Sequence, residues 1–171
     1  PAASVKLTPR EVAIRMLRNC GRFPDEADEF LLANGIHAGF SRTVLEETDK
    51  LEAFPEDSKR LDLTHLEVFS IDDEETMEID DALSCYTEGD KTIVGIHIAD
   101  PAYFVKKDTP IDLAAEDRPL SLYLPTTFVP MFPEHLSHDL ASLVQDKVRP
   151  SLTFTVTFDA NGDIDDWSIC S

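Results

Sequence analysis

The spacing of apolar and polar positions changes character partway along the chain. Before residue 54 apolar residues recur every three or four positions, as on helices; after residue 65 they fall in short β-branched runs broken by turn residues. Residues 1–6 are unpatterned and read as a frayed terminus. Thr8 followed by Pro9, with Glu11 three residues on, forms a capping-box signature, and Val12, Ile14, Met16 and Leu17 then suit a helix ending near Asn19–Gly21. Pro24-Asp25-Glu26 opens a second helix through Phe30, Leu31 and Leu32, stopped by Asn34-Gly35. Ser41 caps a third, with Val44, Leu45 and Leu51 on one face.

A polar connector, residues 54–64, leads into the strand-like part. Strands are expected at Leu66–Ile71, Ala82–Tyr86 and Thr92–Ala99, the last two joined by Glu88-Gly89-Asp90. A short helix fits Ile111–Glu116. The segment 119–133, punctuated by Pro119, Pro125, Pro130 and Pro133, reads as an extended loop without regular structure. Leu152–Phe158 and Ile164–Ile169 flank Asp159-Ala160-Asn161-Gly162-Asp163, a hairpin signal. The fold class is α+β: a helical lead-in over 1–53, the connector 54–64, and a β-rich part over 65–171.

Composition alters this picture only in its charge. With 171 residues, 42% hydrophobic and 29% charged, the chain can bury one core. No apolar run reaches membrane-span length and no secretory leader is visible, so a cytoplasmic location is expected, with an organelle left open. Cys20, Cys85 and Cys170 are odd in number and lack CxxC spacing; they read as reduced, buried thiols. Thirty-four acids against 15 bases give a net charge of -19, which repels nucleic acid and anionic membranes at long range.

Much of that charge is concentrated in one stretch. Seven of the ten positions from Asp72 to Asp81 are carboxylates and none is basic. Carboxylates crowded in a partly desolvated place repel, so such a cluster is stabilised by protons or cations. Neighbouring residues on a regular strand point to opposite faces, so Asp80 and Asp81 do not readily chelate one ion together. One of them can join Asp72 on a first ion while the other addresses a second ion, a water or the substrate. Glu78 shares the parity of Asp80 and has the longer stem. Oxygen donors of this kind suit Mg²⁺ or Mn²⁺ and metal-assisted phosphoryl transfer; the bland alternative is a solvated acidic loop.

The motifs around the run resemble a known family. Asp62-Leu-Thr-His-Leu66, Phe69-Ser-Ile-Asp72 and Glu78-Ile-Asp80-Asp81-Ala-Leu-Ser84 are similar to the first signature of the ribonuclease II/ribonuclease R (RNB) exoribonucleases. Val94-Gly-Ile-His-Ile-Ala-Asp100-Pro101, Ser121-Leu-Tyr123-Leu-Pro125, Pro130-Met-Phe-Pro133, Leu136-Ser137, Leu140, Ser142-Leu143 and Arg149-Pro150 continue the likeness in order, over roughly residues 27–171. The resemblance implies Mg²⁺-dependent 3′→5′ hydrolysis of single-stranded RNA, releasing nucleoside 5′-monophosphates. It also implies that Asp72 and Asp81 hold the principal metal, while Glu78 and Asp80 hold a second metal or orient water. Asp80 becomes the residue most needed for the chemical step, and Tyr123 the aromatic that stacks on an RNA base.

Two departures accompany the likeness. The position of Glu78 is often aspartate in the family. The family's catalytic domain is also longer, and its later part supplies an arginine for the scissile phosphate, a further acid and a further aromatic. OB-fold domains flanking the family's catalytic domain have no counterpart here. The expectation is therefore one part of a larger enzyme, inactive by itself, whose other parts carry the basic surface for RNA. The alternatives are a non-catalytic RNB-like module that binds RNA or protein, and an acidic structural domain that binds divalent cations.

Other motifs are weaker. Glu134-His135-Leu136-Ser137-His138-Asp139 is not a zinc motif, having no third histidine or cysteine. His97, in an apolar strand, reads as a hydrogen-bonded core histidine. Asp159–Asp163 lacks the glycine position and closing glutamate of a calcium loop. Lys106-Lys107 and the Lys147/Arg149 pair read as solvated surface.

Overall fold

The structure is a computed structural model that describes residues 7–22, 28–54, 59–125 and 127–171. The expected terminus 1–6, the Pro24-Asp25-Glu26 helix start and part of the connector fall outside the described residues. The first helix, α1, spans Pro9–Asn19, and both bonds of the capping box between Thr8 and Glu11 are present. Helix α2 spans Glu29–Asn34, capped by Asp28, whose carboxylate accepts from the Phe30 and Leu31 amides. Gly35 ends α2 in the left-handed conformation that glycine adopts without a steric penalty. The third helix, α3, runs Arg42–Thr48 with Ser41 as its cap, and stops short of Leu51.

The β-rich part is one antiparallel sheet. Its strands are β1 (Val68–Phe69), β2 (Asp81–Glu88), β3 (Lys91–Ala99), β6 (Ser151–Phe158) and β7 (Ile164–Cys170), hydrogen-bonded in that order. Gly89, at φ 65°, sits in the two-residue turn that pairs Glu88 with Lys91. At the other hairpin the Asp159 carboxylate accepts from the Asn161 and Asp163 amides, and Gly162 takes φ 86°.

Between β3 and β6 the chain makes a single 3₁₀ turn (Pro101–Tyr103), helix α4 (Pro110–Asp117), a small two-stranded ribbon and a π-helical turn (His135–Leu140). The ribbon pairs β4 (Leu122–Tyr123) with β5 (Phe128–Val129). It corrects the expectation of a structureless loop over 119–133: the prolines flank these two-residue strands and leave their own amides free to pair. The strand expected over Leu66–Ile71 is also shorter, because only Val68 and Phe69 pair with β2. Beyond them the carboxylates stay in solvent, Thr76 folds back onto the Asp73 carbonyl, and Ile71 is fully exposed in character.

Val44, Phe104, Ile111, Leu136, Leu140 and Ala141 form the main apolar cluster, with Phe40, Leu51, Phe54 and Tyr103 packed against it. Arg118 ties the helical lead-in to the proline-rich segment. Its guanidinium donates to the carbonyls of Pro130, His37 and Gly39 and lies over the Phe40 ring.

The two faces of the sheet differ in a way that amino-acid polarity alone does not suggest. The buried face carries mostly small or polar residues, Ala82, Ser84, Gly95, His97, Ala99 and Thr153, alongside the apolar Ile93. His97 bridges the strands on either side, with Nδ1 at 2.9 Å from Thr153 Oγ1 and Nε2 at 2.9 Å from Ser84 Oγ. Gly95 is required beside it, since a Cβ there would lie 2.4 Å from Ser84 Oγ. His97 is thus the satisfied core histidine expected, and burial lowers its pKa. The opposite face carries more of the large apolar residues, with Leu83, Val94, Ile96 and Val156 half-buried and Phe69, Trp167 and Ile169 exposed.

The expectation of buried thiols fails. Cys20 and Cys85 are exposed and Cys170 is partly covered. Strand alternation decides this for Cys85, because its neighbour Ser84 takes the buried side.

Candidate metal centre

The acidic run is held by its neighbours rather than by a strand of its own. Ser142, fully buried, accepts from the Ile79 amide at 2.9 Å and donates to the Met77 carbonyl at 3.3 Å. The Leu143 amide donates to the Ile79 carbonyl at 2.9 Å, and the Ala99 amide to that of Asp80 at 2.8 Å. The backbone from Met77 to Asp80 is therefore clamped between the end of β3 and the segment after the π-helical turn. Asp72 stands on the loop after β1, and Asp81 is the first residue of β2.

Glu78 is the one buried acid of the run. Its Oε2 accepts from the Ser121 hydroxyl at 2.7 Å, and Ser121 Oγ in turn accepts from the Met131 amide at 2.9 Å. Its Oε1 is buried and, among the described residues, has no hydrogen-bond partner. An unpaired buried carboxylate oxygen is costly, and a cation or a proton relieves the cost.

The other acids act on the same spot. The Asp80 carboxyl is pushed above the usual carboxylate range by desolvation first, then by the negative charges of Glu78, Asp81 and Asp72. Asp80 nevertheless keeps an exposed side. Tyr123 is raised by desolvation around its hydroxyl, then by the charges of Glu78 and Asp80, a hydrogen bond to Glu78 and the charge of Asp72. The four predicted acids and Tyr123 thus share one electrostatic neighbourhood.

Tyr123 is nevertheless 67% exposed. Its ring lies 4.6 Å from that of Phe128 across the ribbon, and Phe128 stacks on the His138 ring at 6.0 Å. Packing alone does not account for a tyrosine so open to solvent beside a cluster of acids.

The donor set fits a hard divalent cation in charge and chemistry: oxygen ligands only, one of them buried without a partner. The spacing is not closed, since among the described residues no three His, Cys, Asp or Glu side chains stand as a ready metal-binding group. Sequence reasoning quoted the segments holding Ser121 and Ser142 but gave those hydroxyls no task. Their only signal was adjacency to Tyr123 and Leu143, and their partners are tens of residues away in sequence.

Residues 60–171 match the model of the RNB domain. The chain belongs to the RNB family. Ribonuclease II, chloroplastic/mitochondrial, of Arabidopsis thaliana is 35% identical over 161 residues, which are 92% of this chain and 20% of that protein. RNase R of Mycoplasma genitalium, solved in complex with ribose-methylated single-stranded RNA, shares 29% identity at a TM-score of 0.78, covering 83% of this chain and 23% of its own. Yeast Ssd1, described as a pseudonuclease, shares the fold at 18% identity and a TM-score of 0.68, covering 83% of this chain and 19% of its own. The RNB chain described here spans about a fifth of the length of the curated relatives it matches. Among the described residues no helix is long and apolar enough to cross a membrane.

Proposed function

We propose that this RNB chain forms part of a Mg²⁺-dependent 3′→5′ exoribonuclease, in which it supplies the acidic side of the active site. Its substrate is single-stranded RNA and its products are nucleoside 5′-monophosphates. The observation that carries the reading is the field that Asp72, Glu78 and Asp81 exert together on Asp80, beside a buried Glu78 oxygen that meets no partner among the described residues. A fold shared with a pseudonuclease does not by itself imply catalysis, so the residues of the site must carry the proposal. All four acids are carboxylates here, which favours the enzyme over a non-catalytic RNA- or protein-binding module.

In this reading Asp72 and Asp81 hold the principal metal, and Glu78 and Asp80 a second metal or the attacking water. Bound Mg²⁺ (Mn²⁺ can substitute) would supply Lewis acidity toward the phosphate and lower the pKa of bound water. The protein's own residues do the positioning. Ser121 fixes one oxygen of Glu78 and leaves the other free to bind. The Ser142 clamp keeps the Asp80 backbone in place, where its carboxylate can bind a cation or orient a water. Tyr123 offers an open ring on which the 3′-terminal base can stack. The net charge of -19 leaves phosphate binding to basic parts of the larger protein, OB-fold domains among them.

The test is Asp80→Asn in the longer polypeptide. We expect hydrolysis of a single-stranded oligoribonucleotide to fall at least 100-fold, with binding of the same oligonucleotide changed less than about threefold. Hydrolysis retained within tenfold would remove Asp80 from the chemical step. Tight Mg²⁺ binding without any RNA affinity would favour the acidic structural domain instead.

A further inference from the structure

Arg118 is remote in sequence from the acidic run, yet it heads a hydrogen-bonded path that ends on Glu78. Its guanidinium donates from Nη1 to the Pro130 carbonyl at 2.7 Å. The same peptide group carries the Met131 amide on its other side, and that amide donates to Ser121 Oγ at 2.9 Å. Ser121 Oγ donates in turn to Glu78 Oε2 at 2.7 Å. Local sequence explains why a side chain takes this place. The β4–β5 ribbon pairs Leu122 with Val129, so Ser121 and Pro130 stand next in register. Proline has no amide to give, and the ladder stops there. The Ser121 hydroxyl takes the following amide instead.

The path runs in one direction only. A guanidinium only donates and a carboxylate only accepts, so each group between them must donate toward Glu78. Bonds arranged head to tail polarise one another, and the Arg118 charge strengthens the first. The Arg118 end is itself anchored. Its Nη2 donates to the His37 carbonyl and, at 3.1 Å, to that of Gly39, and the guanidinium lies 4.6 Å over the Phe40 ring. These three residues belong to the helical lead-in, which precedes the matched residues 60–171. At the other end Glu78 is buried and held by Oε2, while Oε1 has no partner among the described residues. Fixing one oxygen of a buried carboxylate also fixes where the other points.

We propose that Arg118 is a positioning residue of the metal centre. Acting through the Pro130–Met131 peptide and Ser121, it sets the orientation of the Glu78 carboxylate and makes the helical lead-in part of the active-site scaffold. The assignment rests on the reading of Glu78 as a metal ligand. Arg118 acts at a distance, since three hydrogen bonds separate its guanidinium from the carboxylate.

The test is Mn²⁺ binding by the longer polypeptide without RNA, read by electron paramagnetic resonance, so that turnover plays no part. Losing the hydrogen-bond partner of a metal ligand typically weakens metal binding about 10–100-fold. We expect Arg118→Gln and Ser121→Ala each to weaken Mn²⁺ binding at least about tenfold. The double variant should fall within about twofold of the weaker single one, because both changes break one path. Ser121→Thr keeps the hydroxyl and should bind within about threefold of the parent. Phe40→Leu removes the ring beneath the guanidinium but keeps an apolar side chain, and should weaken binding about threefold. It probes the path from the lead-in side should Arg118→Gln fail to fold. Unchanged affinity in Arg118→Gln and Phe40→Leu, or losses in Arg118→Gln and Ser121→Ala that multiply, would overturn the proposal. So would a loss in Ser121→Thr as deep as in Ser121→Ala. A loss in Glu78→Ala without one in Arg118→Gln defeats this assignment alone. If Glu78→Ala binds Mn²⁺ as the parent does, the metal reading fails and this assignment with it.

Discussion

Asp80 illustrates what one residue in this fold is asked to do. Its folded-state pKa is raised, by desolvation first and then by Glu78, Asp81 and Asp72, so the folded state holds a proton that the unfolded chain releases earlier. Stability attributable to Asp80 therefore falls as pH rises from the unfolded carboxylate range through the folded pKa, and the loss is complete at neutral pH. Replacing Asp80 with Asn removes the charge and keeps the shape. In the metal-free chain at pH 7 we expect Asp80→Asn to be the more stable of the two proteins, by a margin that the exposed side of the carboxyl keeps small. The gain should shrink as pH is lowered toward the carboxylate range. Thermal melts of both proteins at several pH values check this, and a variant less stable at pH 7 would show that neither desolvation nor repulsion raises the Asp80 pKa.

At the scale of elements, the acidic run owes its position to a hydroxyl that follows a π-helical turn. Ser142, itself fully buried, satisfies the Ile79 amide and the Met77 carbonyl together. Ser142→Ala leaves the half-buried Ile79 amide without its partner, and an unsatisfied donor typically costs about 1–3 kcal/mol. We expect Ser142→Ala to lower stability by about 2 kcal/mol in denaturant unfolding, and to weaken Mg²⁺ binding by the longer polypeptide, because the Glu78 and Asp80 backbones are no longer clamped. A substitution that lowers stability but leaves Mg²⁺ affinity unchanged would make the clamp purely structural. Much of this level was readable beforehand. The capping box at Thr8, the Asn34-Gly35 stop and both long hairpins follow from local chemistry. The β4–β5 ribbon and the π-helical turn did not, since two-residue strands and a single irregular turn leave too little periodicity to read.

Across the whole molecule, charge competes with the ion pairs seen among the described residues. Arg18–Glu29, Arg42–Glu46 and Lys91–Asp165 are exposed pairs, each worth on the order of 0–1 kcal/mol. Arg60–Asp100 is more enclosed, and Arg60 also lies over the Tyr103 ring. Against them stands a net charge of -19, whose self-repulsion screening relieves. Repulsion should win. Raising NaCl from about 10 mM to about 150 mM, where the Debye length is about 8 Å, should increase the Tm of the isolated chain by about 2–4 °C. Mg²⁺ at matched ionic strength should add a further increase, abolished by Asp72→Asn with Asp81→Asn. A Tm that falls with salt would mean the ion pairs outweigh the repulsion.

The sequence by itself determined the helical lead-in, the hairpins, the acidic run and the family likeness, because each is written in adjacent residues with a local physical consequence. Hydrogen bonds between near neighbours set caps and turns, and a run of like charges calls for a counter-ion wherever it folds. Only the tertiary structure decided which face of the sheet is covered. Alternation shows that Leu83 and Ser84 point apart, but not which of them meets the core. Hydrophobicity alone would have buried Phe154 and Trp167 and exposed His97. The fold does the reverse, because Ser84, His97 and Thr153 satisfy one another across three strands, a pairing no local pattern contains. The same long-range pairing gives Glu78 its Ser121 partner and leaves its second oxygen without one.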